Sequence, residues 1–177
     1  MALLNQFTLF AAYNQLMNQR IFDSAARLTR DELIGDRGAF FKSVLGTLNH
    51  ILVGDIIWLK RFSAHPACRE TLLSVQGLDH PRSLDALLYE NLDELNAARA
   101  RIDRIIIDWI ADLSEQDIET SLSYKNMAGI AHNKSLASLI SHLFLHQVHH
   151  RGQVTTLLSQ SGVDFGDTDL LEIIHDN

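Results

Sequence analysis

Apolar side chains recur along four stretches of the chain at alternating spacings of three and four, the period of a helix that turns one face to a core. In the first stretch Leu3, Phe7, Phe10, Asn14, Met17 and Ile21 form the stripe, which predicts a helix over about residues 2–28. A second, over roughly residues 40–62, carries Leu45, Leu48, Leu52, Ile56 and Leu59, and its opposite side is also apolar. The third is expected to begin after Pro81, with Ser83 as N-cap and Asp85 in the first turn. It continues through Leu84, Leu88, Leu92, Leu95, Ile102, Ile105 and Trp109. The fourth starts near Ser135, places Leu136, Ile140, Leu143, Val154, Leu157 and Leu158 on one face, and stops at Gly162, the kind of residue that ends helices. Both prolines, Pro66 and Pro81, fall in the link between the second and third helices, so none interrupts a stripe.

Between the third and fourth helices, residues 118–130 alternate apolar and polar side chains around Asn126 and Gly129, which predicts a small hairpin or structured loop. The tail from residue 163 onward sets Asp164, Asp167 and Asp169 among Phe165, Leu170 and Leu171, and reads as a segment that docks on the helices or on a partner chain. Connection lengths then order the helices. About 11 residues join the first two, enough for antiparallel neighbours but too few to run back along a helix of ~35 Å. The link from about residue 64 to 82 can make that return. The expectation is an all-α fold in one domain over residues 1–177: a four-helix bundle in up-down-down-up order, with one long crossover between the second and third helices. A plain up-down-up-down order also satisfies the pattern.

Composition mostly excludes. A chain of 177 residues, 46% hydrophobic and 21% charged, can bury one core, and no apolar run is long enough to cross a membrane. Its 15 basic and 22 acidic residues give a net charge of −7, which repels phosphate backbones and anionic lipid, so neither nucleic acid nor membrane is expected as a partner. Cys68 is the single cysteine, too few for a disulfide or a thiolate cluster. The opening Met-Ala-Leu-Leu-Asn-Gln-Phe has no basic region before an apolar segment, so a cytoplasmic protein is expected. What changes the picture is nine histidines beside two tryptophans and three tyrosines.

The fourth helix holds His142, His146, His149 and His150. Residues i and i+4 rise ~6 Å on one face, close enough for two imidazoles to share an ion, whereas i and i+8 stand ~12 Å apart. Stepping around the helix puts His150 inside the apolar stripe and His146 at its edge, with His142 and His149 turned outward. A site built on that inward pair needs a third ligand. His50 in the second helix supplies one, at a matching height if the two helices are antiparallel, and Gly46 and Gly54 four residues to either side suggest room for a close approach. Alone, His50 reads first as a hydrogen-bonded core residue; the pair raises the case for metal, since two buried neutral imidazoles otherwise need partners for four nitrogens. His65, His80, His132 and His175 lie in loops or the tail and are expected to be exposed. Asp55 reads as a solvated helix charge before it reads as an acceptor behind a ligand.

There is no His-Glu-x-x-His motif, and the one Glu-x-x-His, Glu172 to His175, lies in the tail, so neither a zinc-protease nor a di-iron centre fits. Phosphate-binding glycine loops and the Gly-x-Ser-x-Gly elbow are also absent. Cys68 lacks an obvious local base and reads as incidental.

Tyr13-Asn14 with Asn18-Gln-Arg20, Asn49-His50 with Gly54-Asp55 and Trp58, and above all His146-x-x-x-His150-Arg151-Gly152-Gln153 resemble the DinB family of metalloenzyme-like four-helix bundles, over nearly the whole chain. The resemblance implies metal-binding histidines at His50, His146 and His150, the crossover topology, a homodimer, and a divalent ion such as zinc or nickel. The family's name records induction by DNA damage and not DNA binding. It further implies chemistry with a low-molecular-weight thiol as cosubstrate, S-transfer or isomerisation. An ion with open positions could equally serve hydrolysis of a small substrate. Trp58, Tyr124 and Asn126 are candidates to line a pocket, each also explicable as packing or turn structure, and no catalytic acid or base is identified. The competing readings are a non-catalytic, stress-related metal-binding dimer and a metal-free polar core. Exposed apolar positions of the first two helices are the expected dimer surface.

Overall fold

The computed structural model describes residues 2–174. In chain order the regular elements are α1 (Leu3–Ala25), α2 (Arg30–Ile34), α3 (Val44–Phe62), α4 (Leu73–Gln76), α5 (Leu92–Asp112), α6 (Glu115–Ile118), β1 (Ser121–Lys125), β2 (Ala131–Ser135) and α7 (Leu136–Gln160). Short 3-10 turns cover Pro66–Cys68 and Leu170–Ile173. The protein is mostly helical with one small two-stranded sheet, and the four long helices α1, α3, α5 and α7 correspond to the four stripes.

Capping chemistry moves their ends from where the stripes alone put them. α3 begins after Ser43, whose hydroxyl accepts the Gly46 amide, and not at Phe40. The larger correction is α5, which starts after Asn91 rather than Ser83: the Asn91 side chain accepts the amides of Asp93 and Glu94. Residues 83–90 are not helical because their backbone is engaged elsewhere. The Leu84 carbonyl accepts from His50 Nδ1. The Asn49 side chain grips Tyr89 twice, donating to its carbonyl and accepting its amide, both at 3.0 Å. Of Leu84 and Leu88, which made this segment look like a helix face, Leu84 is half exposed and Leu88 packs partly buried against the core. In the first link, Thr29 and Glu32 close a reciprocal capping box that starts α2, a turn the stripes did not show.

Contacts between named residues give the helix directions. Phe7 and Phe10 meet Phe144, and Asn14 meets Arg151, so α1 and α7 run the same way. His50 faces His150 and Trp58 faces His142, so α3 and α7 are opposed. Asn18 reaches Asp103 while Leu4 reaches Glu115, which opposes α1 to α5. Asp55 pairs with Arg99 and the Phe62 ring packs on Trp109, so α3 and α5 are parallel. Phe7, Met17, Ile21, Leu52, Leu59, Phe62, Ile102 and Trp109 are wholly buried between them.

A polar layer crosses this core. Arg99 pairs with Asp55 and, at 2.9 Å, with Asp103. Asn18 donates to Asp103, Gln147 donates to Asp55 at 2.8 Å, and Arg151 donates to Asn14, Asn18 and Gln147. Asp55 is thus fully buried, correcting the expectation of a solvated charge. Its partners come from α5 and α7, which the local pattern of one helix cannot reveal. Two carboxylates and two guanidiniums cancel in charge, the condition for burying any of them.

The tail docks on α1 of its own chain: Tyr13 donates to the Thr168 carbonyl, Arg27 to that of Asp164 at 2.8 Å, and Arg20 pairs with Glu172 at 3.0 Å. The expected hairpin is present, with Tyr124 opposite His132 and a turn in which the Asn126 side chain accepts the amides of Ala128 and Ile130. Of the four long helices, α1 and α7 carry large exposed apolar residues, at Leu3, Leu145 and Val148, and α3, which α2 and α4 also cover, carries none. No described helix is long and apolar enough to cross a membrane.

Candidate metal centre

Because α3 and α7 are opposed, His50 falls level with the i,i+4 pair His146 and His150. The structure brings these three together: His50 Nε2 lies 3.2 Å from His146 Nε2 and 3.1 Å from His150 Nε2. All three ligand-capable nitrogens lie within 4.8 Å of one another. His142 and His149 are exposed, as the helical phase predicts, and so is His80. His132 is half-buried on the hairpin, and His175 lies outside the described residues. His65 departs from expectation. It is buried, its Nδ1 accepting the Ala67 amide to cap the 3-10 turn and its Nε2 meeting the Thr120 hydroxyl at 3.0 Å.

Outer partners fix the proton positions. A backbone carbonyl can only accept, so the Leu84 oxygen 2.7 Å from His50 Nδ1 places the proton there and leaves a lone pair on Nε2. The Gln153 side-chain oxygen, 2.8 Å from His150 Nδ1, does the same for that ring, while its amide faces His149. Two lone pairs therefore point at each other across 3.1 Å. A proton is a poor occupant of the gap, since burial holds all three imidazoles below the ordinary histidine range, His146 down to about 3. Two nitrogens ~2.05 Å from a tetrahedral ion stand about 3.3 Å apart, close to the spacing observed. His146 Nδ1 is buried with no partner among the described residues.

The two glycines have different roles. A Cβ on Gly54 would lie 2.7 Å from His146 Cε1, so Gly54 makes room for an imidazole from α7. A Cβ on Gly46 would lie 2.2 Å from the Phe41 carbonyl oxygen, so Gly46 admits the loop before α3. That loop lays the Phe41 ring on His50, with centroids 3.7 Å apart and planes 16° apart, and its edge near His150 at 5.5 Å. Phe41 and the Leu84 carbonyl escaped the sequence reading, and Gln153 entered it only as part of the motif, without a role. The i,i+3 spacing of His150 and Gln153 was the one available signal; the other two depend on loop paths.

Of the suggested pocket residues, Trp58 and Tyr124 pack together beside His142, with ring centroids 5.2 Å apart and 5.1 Å from Trp58 to His142. Asn126 is turn structure. Cys68 is wholly buried and burial pushes its thiol up to about 11, so it is no nucleophile.

These features define a helical protein with a cluster of three imidazoles, two buried and one half-buried, compatible with a divalent ion. The chain belongs to the DinB family, whose model matches residues 3–176. It is 22% identical to Protein DinB of Bacillus subtilis (strain 168) over 157 residues, 89% of this chain and 87% of that protein. It is 23% identical to the uncharacterized protein YizA of the same strain over 146 residues, 82% of each. No solved structure matches it significantly.

Proposed function

We propose that His50, His146 and His150 hold a divalent ion, zinc or nickel, and that the protein is a cytoplasmic metal-dependent enzyme acting on a small substrate by thiol S-transfer or hydrolysis. The observation that carries the reading is the pair of Nε2 lone pairs, on His50 and His150, aimed at each other across 3.1 Å. Supporting it are the Leu84 and Gln153 acceptors behind those rings and the cradle at Gly54. The pairings of the long helices favour an up-down-down-up bundle as the frame, with the crossover delivering Leu84 to His50. Bound there, an ion with open positions would favour a thiolate over a thiol, or ionise a water, at neutral pH. The chain's own part is to keep the imidazoles neutral by burial, orient them through Leu84 and Gln153, and cover one side with Phe41.

The test is elemental analysis of untagged protein reconstituted with zinc or nickel; less than about 0.1 equivalent of metal defeats the reading. His150→Ala is expected to lose the ion, and full occupancy in that variant contradicts the ligand assignment. Catalysis is tested by offering the loaded protein a generic electrophile with bacillithiol, mycothiol or glutathione, and separately a set of esters and amides. If neither thiol consumption nor hydrolysis exceeds the metal-free background, the non-catalytic reading stands: a stress-related metal-binding homodimer acting through its surface. One observation favours that reading, an apolar hollow of about 200 Å³ between α1 and α7 with Leu145 and Val148 largely exposed at its edge.

A further inference from the structure

Next to the three imidazoles, toward the hairpin, stands a second set of side chains that the metal reading leaves unused. His142 lies one turn before His146, ring centroids 5.9 Å apart. Trp58 follows at 5.1 Å from His142, and the Arg61 guanidinium lies over the Trp58 ring at 4.6 Å and near the Tyr124 ring at 5.2 Å. Strand alternation explains Tyr124: Leu122 is buried, so Tyr124 two residues on shares its inward face. The residues directly opposite, Lys134 and His132, share that face too.

The charge of this corner opposes that of the molecule. The chain carries −7, yet Arg61 and Lys134 lie here beside His132 and His142. The charged groups that act on His142 are Lys134 and Arg61, both positive. Among the described residues neither Arg61 nor Lys134 forms an ion pair, and the half-buried Arg61 side chain makes no hydrogen bond. Stacking on aromatic rings accounts for the faces of a guanidinium but not for its edge, where five N–H donors remain free. A fork held flat by its faces is preorganised for a planar, bidentate acceptor. Along α3, Arg61 lies about 10 Å beyond Gly54, the level at which His146 packs.

We propose that Arg61, backed by Trp58 and Tyr124 and flanked by Lys134, anchors a carboxylate of the small-molecule substrate, whose reacting end lies at the three-histidine centre. The proposal rests on the metal-centre reading and names the substrate class for it. A carboxylate fits better than a phosphate because it is coplanar with the guanidinium in a fork-to-fork pair and continues along the aromatic surface, which a tetrahedral group does not.

The test uses tryptophan fluorescence of the zinc-loaded protein. Trp109 is wholly buried, so a ligand-sensitive signal belongs to Trp58. Titrations use adipate, hexanoate, hexanamide and hexyl phosphate, on wild type, Arg61→Gln and Arg61→Lys, with zinc content measured for each. The expected result is binding of both carboxylates but not of hexanamide, weakened about tenfold or more in Arg61→Gln, partly restored in Arg61→Lys, at unchanged zinc content. Equal carboxylate affinity in wild type and Arg61→Gln overturns the proposal, as does no carboxylate binding to fully loaded protein. Tighter binding of hexyl phosphate than of hexanoate overturns the carboxylate assignment. If zinc is not retained at all, the same titration on zinc-free protein separates the two ideas: Arg61-dependent hexanoate binding keeps the anchor while the metal reading fails.

Discussion

Replacing Gly54 by alanine puts a methyl group where α3 and α7 come closest to the imidazole cluster. The added Cβ would sit 2.7 Å from His146 Cε1, 3.3 Å from Nδ1 and 3.5 Å from Nε2. Carbon contacts become comfortable near ~3.5 Å, so the ring must withdraw by about 0.8 Å. His146 sits 3.2 Å from His50 across the cluster, so a shift of that size changes the spacing on which a shared ion depends. Two effects then oppose each other in the metal-free fold. Alanine is favoured over glycine in a helix interior by about 1 kcal/mol, and overpacking costs about 1–3 kcal/mol. The metal-free variant is therefore expected to lose between about 0 and 2 kcal/mol. Zinc affinity, with one of the three proposed ligands displaced, is expected to fall about 10–100-fold. Competition with a chromophoric chelator gives the affinity, and urea unfolding in EDTA gives the stability. Wild-type zinc affinity in Gly54→Ala would refute the role given to this contact, and with it the placement of His146 as a ligand.

Three further outcomes follow from other parts of the molecule. Arg99→Met leaves Asp55 and Asp103 buried without their shared cation and is expected to cost about 3–5 kcal/mol in urea unfolding at pH 7. Burial raises Asp55 to about 6 even beside Arg99, so the native state holds that proton more tightly than the unfolded chain does. Without Arg99 this preference grows, so the variant's stability should fall as pH rises from about 5 to 7; a loss that does not vary with pH would contradict the account of the polar layer. Cys68 should react with Ellman's reagent at pH 8 only as fast as the protein opens, and fully in denaturant; immediate labelling of the native protein would show a thiol environment unlike the buried one described. Gly152, exposed on α7 with open space around its position, should gain from alanine about 1 kcal/mol, or about 2–4 °C in Tm. A drop in Tm would mean that something covers that position in solution.

The four stripes predicted the four long helices because helical period is a local property, and the helical phase of His146 and His150 separated them correctly from His142 and His149 for the same reason. Height along antiparallel helices was enough to add His50. What was illegible depends on partners distant in the chain. Asp55 looked like a surface charge because Arg99 lies 44 residues away on another helix. The segment 83–90 looked helical because nothing in its own pattern shows that Asn49 and His50 engage its backbone. Gly46 and Gly54 were rightly read as marking close approach, but only the structure shows that one admits a carbonyl and the other a ring.

The contact between His50 and the Leu84 carbonyl joins two different kinds of structure, a long helix and an irregular stretch of crossover. Any free energy an occupant supplies at the imidazoles is shared through that contact with residues 84–89, whose other ties to α3 include the two Asn49 bonds. Ordering of the crossover and filling of the centre are then thermodynamically linked. If the centre holds the proposed ion, protease susceptibility between α4 and α5 is a measure of its occupancy that needs neither a substrate nor a spectroscopic metal.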